Sequence, residues 1–181
     1  MDARALLSPE EEYQKYTEHN NDVDDPGYRN FVKPLVDLIS SRHDKATIGL
    51  DFGAGPGPVI SKMLGERGYH LNLYDPFFHP DTQVLQRTYD YIVCCEVAEH
   101  FYNPYESFKL LSSLLSSDGT LYCRTTLIPE VMEFSRWHYK NDKTHVFFYD
   151  RRTIAWIAQE ILNCSYSIVT KNIIYFTRQD S

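Results

Sequence analysis

Ala46-Thr-Ile-Gly-Leu-Asp51-Phe-Gly53-Ala54-Gly55-Pro-Gly57 is the stretch that decides the fold of this 181-residue chain. Ala46 to Asp51 read as a buried strand, a short and largely apolar run ended by glycines. Gly53, Gly55 and Gly57 then turn the chain into a helix with Val59, Ile60, Met63 and Leu64 on its apolar side. Glycines suit such a turn because the backbone must pass closely under a ligand, at angles that a Cβ forbids. The helix that follows points its free N–H groups at whatever lies over the loop. In open α/β sheets this crevice, at the carboxyl end of the strand, is where ligands bind. Asp51 closes the strand, placed to receive a cationic group such as an amine. The dinucleotide fingerprint is G-x-G-x-x-G, whereas the glycines here alternate, D-x-G-x-G-x-G.

The chain before this loop is polar. Glu10, Glu11 and Glu12 run together, and Tyr13, Tyr16 and His19 recur at three-residue spacing. That spacing predicts a short helix over the mouth of the site, broken by Pro26-Gly27. Phe31, Leu35, Leu38 and Ile39 then mark the core face of a second helix, with Pro34 in its first turn or kinking it. Beyond the loop, Gly68 stops the glycine-loop helix. Tyr69 to Tyr74 form the next strand, ending in Asp75-Pro76-Phe77-Phe78. An acid here, 20 residues after Gly55, stands where a ribose hydroxyl pair is held in such folds. Residues 79 to 89 are too few for a full strand and helix, so the third strand is expected to be short or degenerate, around Val84-Leu85.

Tyr91 to Cys95 read as a strand, followed by Glu96-Val-Ala-Glu99-His100-Phe101. Asn103-Pro104-Tyr105-Glu106 is a helix start, with Asn at the cap and Pro at the first position. Phe108, Leu111, Leu114 and Leu115 supply its buried side. Asp118-Gly119 leads into a strand at Thr120 to Arg124. Residues 126 to 144 have no clear period and hold Trp137, His138 and Tyr139, which suits a substrate cover. Asp150 caps a last helix with Ile154, Ile157, Ala158 and Ile161 on one face. Tyr166 to Val169 and Ile173 to Thr177 form a hairpin around Lys171-Asn172.

The length suits one domain. Hydrophobic residues make up 43% and charged residues 24%, both ordinary for a globular chain. The fourteen Tyr suit a pocket or an interface, which leaves a homodimer open. A net charge of −7 with interspersed signs argues against a nucleic-acid grip, which needs a basic surface. Cys94, Cys95, Cys123 and Cys164 lack C-x-x-C spacing and read as reduced thiols of a cytoplasmic protein. No stretch approaches the ~20 apolar residues of a membrane span.

The acid followed by alternating glycines resembles the first motif of the Rossmann-like S-adenosylmethionine (SAM)-dependent methyltransferases. Asp75, Tyr91-Ile-Val-Cys-Cys-Glu96-Val-Ala-Glu99-His100-Phe101 and Asp118-Gly119 extend the likeness over about residues 28 to 178. It implies an α/β, doubly wound, mostly parallel sheet of seven strands with the last one antiparallel. Residues 1 to 27 are then an N-terminal cap or tail, and 28 to 181 the SAM-binding domain. The implied activity is in-line methyl transfer to a small-molecule acceptor, at oxygen. Asp51, Gly53, Ala54, Gly55 and Gly57 would hold the amino-acid end of SAM and Asp75 its ribose. Pro76 and Phe77 would lie beside it, with Phe77 or Phe78 covering the adenine or simply packing in the core. Cys95 and Glu96 would border the transferred methyl. His100, His145 and Glu96 are the candidate catalytic groups. The alternative is a SAM- or nucleotide-binding regulatory module without catalysis.

The E-x-x-E-H-F pattern and the later Thr144-His145-Val-Phe-Phe-Tyr149 also look like those of ubiquinone-pathway O-methyltransferases and small-RNA terminal 2′-O-methyltransferases. By that resemblance Glu96, Glu99, His100 and His145 form a divalent metal site. Two carboxylates and two imidazoles suit Mn²⁺, Fe²⁺ or Zn²⁺ better than Mg²⁺. In the plainer alternative Glu99 favours a helix N-terminus, and the histidines hydrogen-bond only each other or backbone.

Overall fold

The computed structural model describes residues 7–18, 22–131 and 133–178; His19, the third member of the tyrosine face, lies outside them. Six strands form one sheet: β1 (Ile48–Phe52), β2 (His70–Tyr74), β3 (Tyr89–Cys95), β4 (Leu115–Arg124), β5 (Cys164–Thr170) and β6 (Ile173–Arg178). Their spatial order is β2-β1-β3-β4-β6-β5. β1 to β4 run parallel, and β6 pairs antiparallel with both β4 and β5. This is the mixed, doubly wound α/β arrangement with an antiparallel final strand.

Alternation along β3 makes the two cores. Tyr91 and Val93 face the helices α2 (Pro26–Arg42) and α3 (Val59–Glu66), joining Val32, Leu35, Ile60 and Leu64. Ile92 and Cys94 face the other way, towards α4 (Pro104–Ser113) and α5 (Arg151–Trp156), where they join Phe108, Leu111, Ile154 and Ala158. A strand covered on both faces must be apolar throughout. Each fully buried Leu or Ile contributes about 1.5–3 kcal/mol, so this inner strand anchors both layers.

Local signals placed most element ends. Asn103 Oδ1 accepts from the Glu106 N–H at 3.3 Å, and Asp150 Oδ1 from the Thr153 N–H at 2.7 Å. Pro26 does not break a helix but opens α2: Asp25 caps it, accepting from the Gly27 N–H at 2.9 Å. Proline is tolerated there because the first helical N–H has no partner anyway. Pro34 consequently lies inside α2, beyond its first turn. The buried face is Val32, Leu35, Val36 and Ile39, while Phe31 is 40% exposed with the Arg124 guanidinium 3.8 Å over its ring.

Three expectations are corrected. The sheet has six strands among the described residues, not seven. Where a third family strand was expected, Thr82–Gln86 form a 3₁₀ turn. Asp81 caps that turn, and the Tyr89 hydroxyl pins it by donating to the Val84 carbonyl at 2.7 Å. So few residues close the connection only as a tight turn, which leaves β2 as the sheet edge. Leu114 and Leu115 are buried, but α4 ends at Ser113 and Leu115 already opens β4. The last helix changes after Trp156 into a π turn, Ile157–Leu162, closing on Asn163 with φ 48°. All four cysteines are free, Cys94 and Cys123 buried and Cys95 and Cys164 half-buried. No described helix is long and apolar enough to cross a membrane.

The helix α1 (Pro9–Glu18) packs on residues that follow the carboxyl ends of β2 and β3. Tyr13 stacks on Phe78 with ring centroids 5.5 Å apart, and the Tyr102 hydroxyl donates to Glu12 at 2.9 Å.

Candidate active site

The glycine loop is held by backbone. Gly53 and Gly55 adopt φ 79° and 64°, a region where side chains are strained. A Cβ on Gly53 would also fall 2.4 Å from Val97 Cγ2. The Gly53 and Ala54 N–H groups both donate to the Tyr74 carbonyl, at 2.8 and 3.1 Å. Asp75 completes the clamp: it accepts from the Gly55 N–H at 2.9 Å and from the Phe77 and Phe78 N–H groups at 2.9 and 3.1 Å. A carboxylate has about four acceptor positions, so three are already taken in Asp75, which still lines the cavity. Asp51 and Gly57 do not line it. Asp51 sits beneath the loop, 4% exposed, accepting from Ser61 Oγ at 2.8 Å. Burial pushes its carboxyl up to about 6.

Above the loop lies a cavity of about 640 Å³. Gly53, Ala54, Gly55, Asp75, Pro76 and Phe77 form one wall, as the sequence predicted; Cys95 and Glu96 form the floor beside them. A second wall holds His100, His145, Tyr16 and Glu12, and Tyr16 joins it to the first, its ring 6.0 Å from Phe77 and 5.6 Å from His100.

That second wall starts where β3 ends. Glu96 has φ 53°, and its N–H donates to the Arg124 carbonyl at 2.7 Å. Such backbone for a residue other than glycine is costly and concentrates at functional sites. The bend folds Ala98–His100 into a single turn, with Glu99 fully buried. Glu99 then recruits the distant segment: its carbonyl accepts from the Val146 and Phe147 N–H groups at 2.9 and 3.0 Å. The Tyr149 hydroxyl adds a bond to the Ala98 carbonyl at 2.8 Å. These bonds bring His145 beside His100, ring centroids 4.9 Å apart.

Both imidazoles are oriented through Nδ1. His100 donates to the Thr144 carbonyl at 2.9 Å and His145 to the Tyr139 carbonyl at 2.8 Å. The plainer expectation of histidines bonded to backbone therefore holds, and it leaves each Nε2 lone pair unused. Burial pulls the His100 pKa below the ordinary histidine value, which favours the neutral ring. Ligand atoms of Glu99, His100 and His145 lie within 4.8 Å of one another. Glu96 falls outside that group. Its carboxylate lies 3.6 Å from Arg124 Nε and 3.2 Å from the Tyr139 hydroxyl, whose one proton is shared between Glu96 and Glu99. Burial, then the neighbouring Glu99 charge, push Glu96 up to about 8. One oxygen of each glutamate is buried without a hydrogen-bond partner.

A family model described as a methyltransferase domain matches residues 26–161, three quarters of the chain. The chain belongs to the methyltransferase-domain family. No curated protein sequence matches it. The 1,6-didemethyltoxoflavin-N1-methyltransferase of Burkholderia thailandensis, solved with 1,6-didemethyltoxoflavin and S-adenosylhomocysteine (SAH), superposes with a TM-score of 0.66 at 12% identity, over 97% of this chain and 92% of that one. A SAM-dependent methyltransferase from Archaeoglobus fulgidus gives 0.60 at 17%, over 77% and 71%. The magnesium protoporphyrin IX methyltransferase of Synechocystis PCC 6803, solved with SAM, gives 0.56 at 15%, over 84% and 80%. At these identities the likeness is one of fold.

Sequence reading assigned no role to several residues of this methyltransferase's cavity region, Tyr28, Phe52 and Val97 among them. Glu12 sits in the acidic run Glu10 to Glu12, which marks none of the three apart, although it stands one helical turn before Tyr16, and both face the cavity. Tyr102, Asp142 and Tyr139 carried no local signal for their contacts. Tyr139 was placed in a cover, yet its hydroxyl ties the two glutamates and its ring packs 4.2 Å from His145. His138, grouped with it, is exposed.

Proposed function

We propose that this methyltransferase uses SAM to methylate a hydroxyl of a small molecule. The observation that carries the reading is one cavity with two unlike walls: a glycine loop at positive φ that packs too tightly on Val97 to admit a Cβ at Gly53, and an imidazole pair with both Nε2 atoms unused. SAM, when bound, supplies an electrophilic methyl on a sulfonium. Gly53, Ala54 and Gly55 would hold its amino-acid end and Asp75 its ribose edge. Pro76 and Phe77 would flank the base, and Cys95 and Glu96 would border the methyl. Asp51 supports the loop from below by its charge and its bond to Ser61. α1 caps the mouth and excludes water, which strengthens every electrostatic contact inside. In this reading residues 1–27 are the cap and 28–181 the catalytic domain.

His100 or His145 takes the proton of the acceptor hydroxyl at Nε2, since Nδ1 is already committed to a carbonyl. Glu99, His100 and His145 also fit a divalent metal. Nδ1 bonds that orient the rings are what metal-ligating histidines need, and the unpartnered Glu99 oxygen is buried beside them. A carboxylate with two imidazoles suits Mn²⁺, Fe²⁺ or Zn²⁺; when bound, the metal lowers a hydroxyl's pKa. Glu96 stays with Arg124 and Tyr139 and orients the corner.

Calorimetric titration with SAM, SAH and NAD tests the cofactor, and binding of NAD in place of the other two would overturn it. Metal analysis of untagged protein, followed by turnover in excess EDTA, tests the metal. Full turnover under chelation leaves the histidine base alone. His145→Ala should cut turnover at least about 100-fold while SAH affinity stays within about twofold, because an interaction made only at the reacting centre is removed.

A further inference from the structure

We infer that the end of the cavity facing α1 takes a small aromatic molecule carrying a protonated amine, and rejects anionic acceptors; this rests on the cofactor assignment above. Four acidic side chains line the cavity, Glu12, Asp75, Glu96 and Asp142, of which Glu96 holds its proton up to about pH 8, and among the described residues no Lys or Arg does. Asp75 and Glu96 belong to the glycine-loop side. Glu12 and Asp142 arrive from elsewhere in the chain and both act electrostatically on His100, so they stand at the acceptor end. Glu12 is only 8% exposed and, among the described residues, accepts one hydrogen bond, from Tyr102, and meets no Lys or Arg. A buried carboxylate without a counter-cation is costly unless something cationic joins it.

The walls around it suit the same ligand. Tyr16 and Tyr102 face the cavity beside Glu12, and Tyr16 meets the His100 ring edge-on at 5.6 Å. Aromatic faces attract an ammonium by their quadrupole, and a flat ring can stack between them. A phosphate or carboxylate would meet Glu12 and Asp142 with no Lys or Arg among the described cavity residues to offset them, and with His145, 4.0 Å from Asp142, already beside that acid.

Three probes of one shape isolate the charge: phenethylamine, phenethyl alcohol and phenylacetate, titrated into SAH-saturated protein. The ammonium probe should bind at least about tenfold tighter than the alcohol, with no detectable binding of the carboxylate; ammonium–aromatic and ammonium–carboxylate attraction together account for that ratio. Glu12→Gln keeps an oxygen for the Tyr102 hydroxyl and should reduce the advantage to about threefold or less. Tyr102→Phe breaks the same bond but keeps the charge, and should preserve the advantage. Carboxylate binding equal to that of the amine, no binding by any probe, or an undiminished preference in Glu12→Gln overturns the inference. Failure of SAH to bind overturns the cofactor assignment instead, and the three probes are then compared on the free protein.

Discussion

The two walls of the cavity are made of different material. On the glycine-loop side, residues 53 to 78 bind one another through main-chain N–H and C=O groups, with Asp75 the one side chain that clamps them. On the histidine side main-chain bonds from Glu99 to Val146 and Phe147 bring the segments together, but the groups that make the wall are side chains from distant parts of the chain: Glu12 and Tyr16 from α1, Glu99 and His100 after β3, Tyr139 and His145 from the long connection before α5. A main-chain wall depends on backbone angles and tolerates no Cβ at its tightest point. A side-chain wall tolerates substitution structurally and loses chemistry instead. Stability and cofactor affinity should therefore respond on the first side, turnover and acceptor choice on the second.

Gly53→Ala should produce the largest effect. It imposes φ 79° on a residue with a Cβ and drives that Cβ to 2.4 Å from Val97. Left-handed strain and overpacking together cost about 2–4 kcal/mol, so a clear fall in Tm and loss of SAH binding by calorimetry are expected. If Gly53→Ala bound SAH like the parent, the main-chain wall would not be the cofactor cradle.

A second variant sharpens the comparison beneath the loop. The Asp51 carboxyl is pushed by burial to about 6, above its value near 3.9 in the unfolded chain. The folded state therefore holds the proton more tightly, and this contribution to stability is lost as pH rises from about 4 to about 6. Asp51→Asn removes that dependence and keeps an oxygen for Ser61. Measured by urea unfolding without ligand, its stability relative to the parent should rise by about 2 kcal/mol across that window and then level off. A flat difference between pH 4 and 7 would place Asp51 in a solvated setting.

The smallest effect belongs to Glu96, where the two walls meet. Because φ is 53° there, Glu96→Gly should be more stable than Glu96→Ala by about 1 kcal/mol, although both lose the carboxylate. Equal melting temperatures for the two would mean that the backbone relaxes on losing the side chain, and that the corner is held by its contacts alone.

The sequence by itself determined whatever is settled within a few residues. The D-x-G-x-G-x-G turn, the caps at Asn103 and Asp150, the alternation of β3 and the hairpin at Lys171-Asn172 are local, and all stand in the structure. The pairing of His100 with His145 was legible only as a resemblance between two motifs. Tertiary structure decided the rest. Phe31 left the core because capping by Asp25 and the helical period put Val32 and Leu35 inward. The third strand, expected from the short connection to be short or degenerate, is reduced to a 3₁₀ turn, and tertiary structure decided only that no strand is left of it. Glu12, Tyr139 and Asp142 reached the site from segments up to 130 residues apart in sequence. Spacing encodes contacts that one helical turn or one strand repeat can make. Contacts between distant segments depend on how whole layers pack, and no short pattern records that.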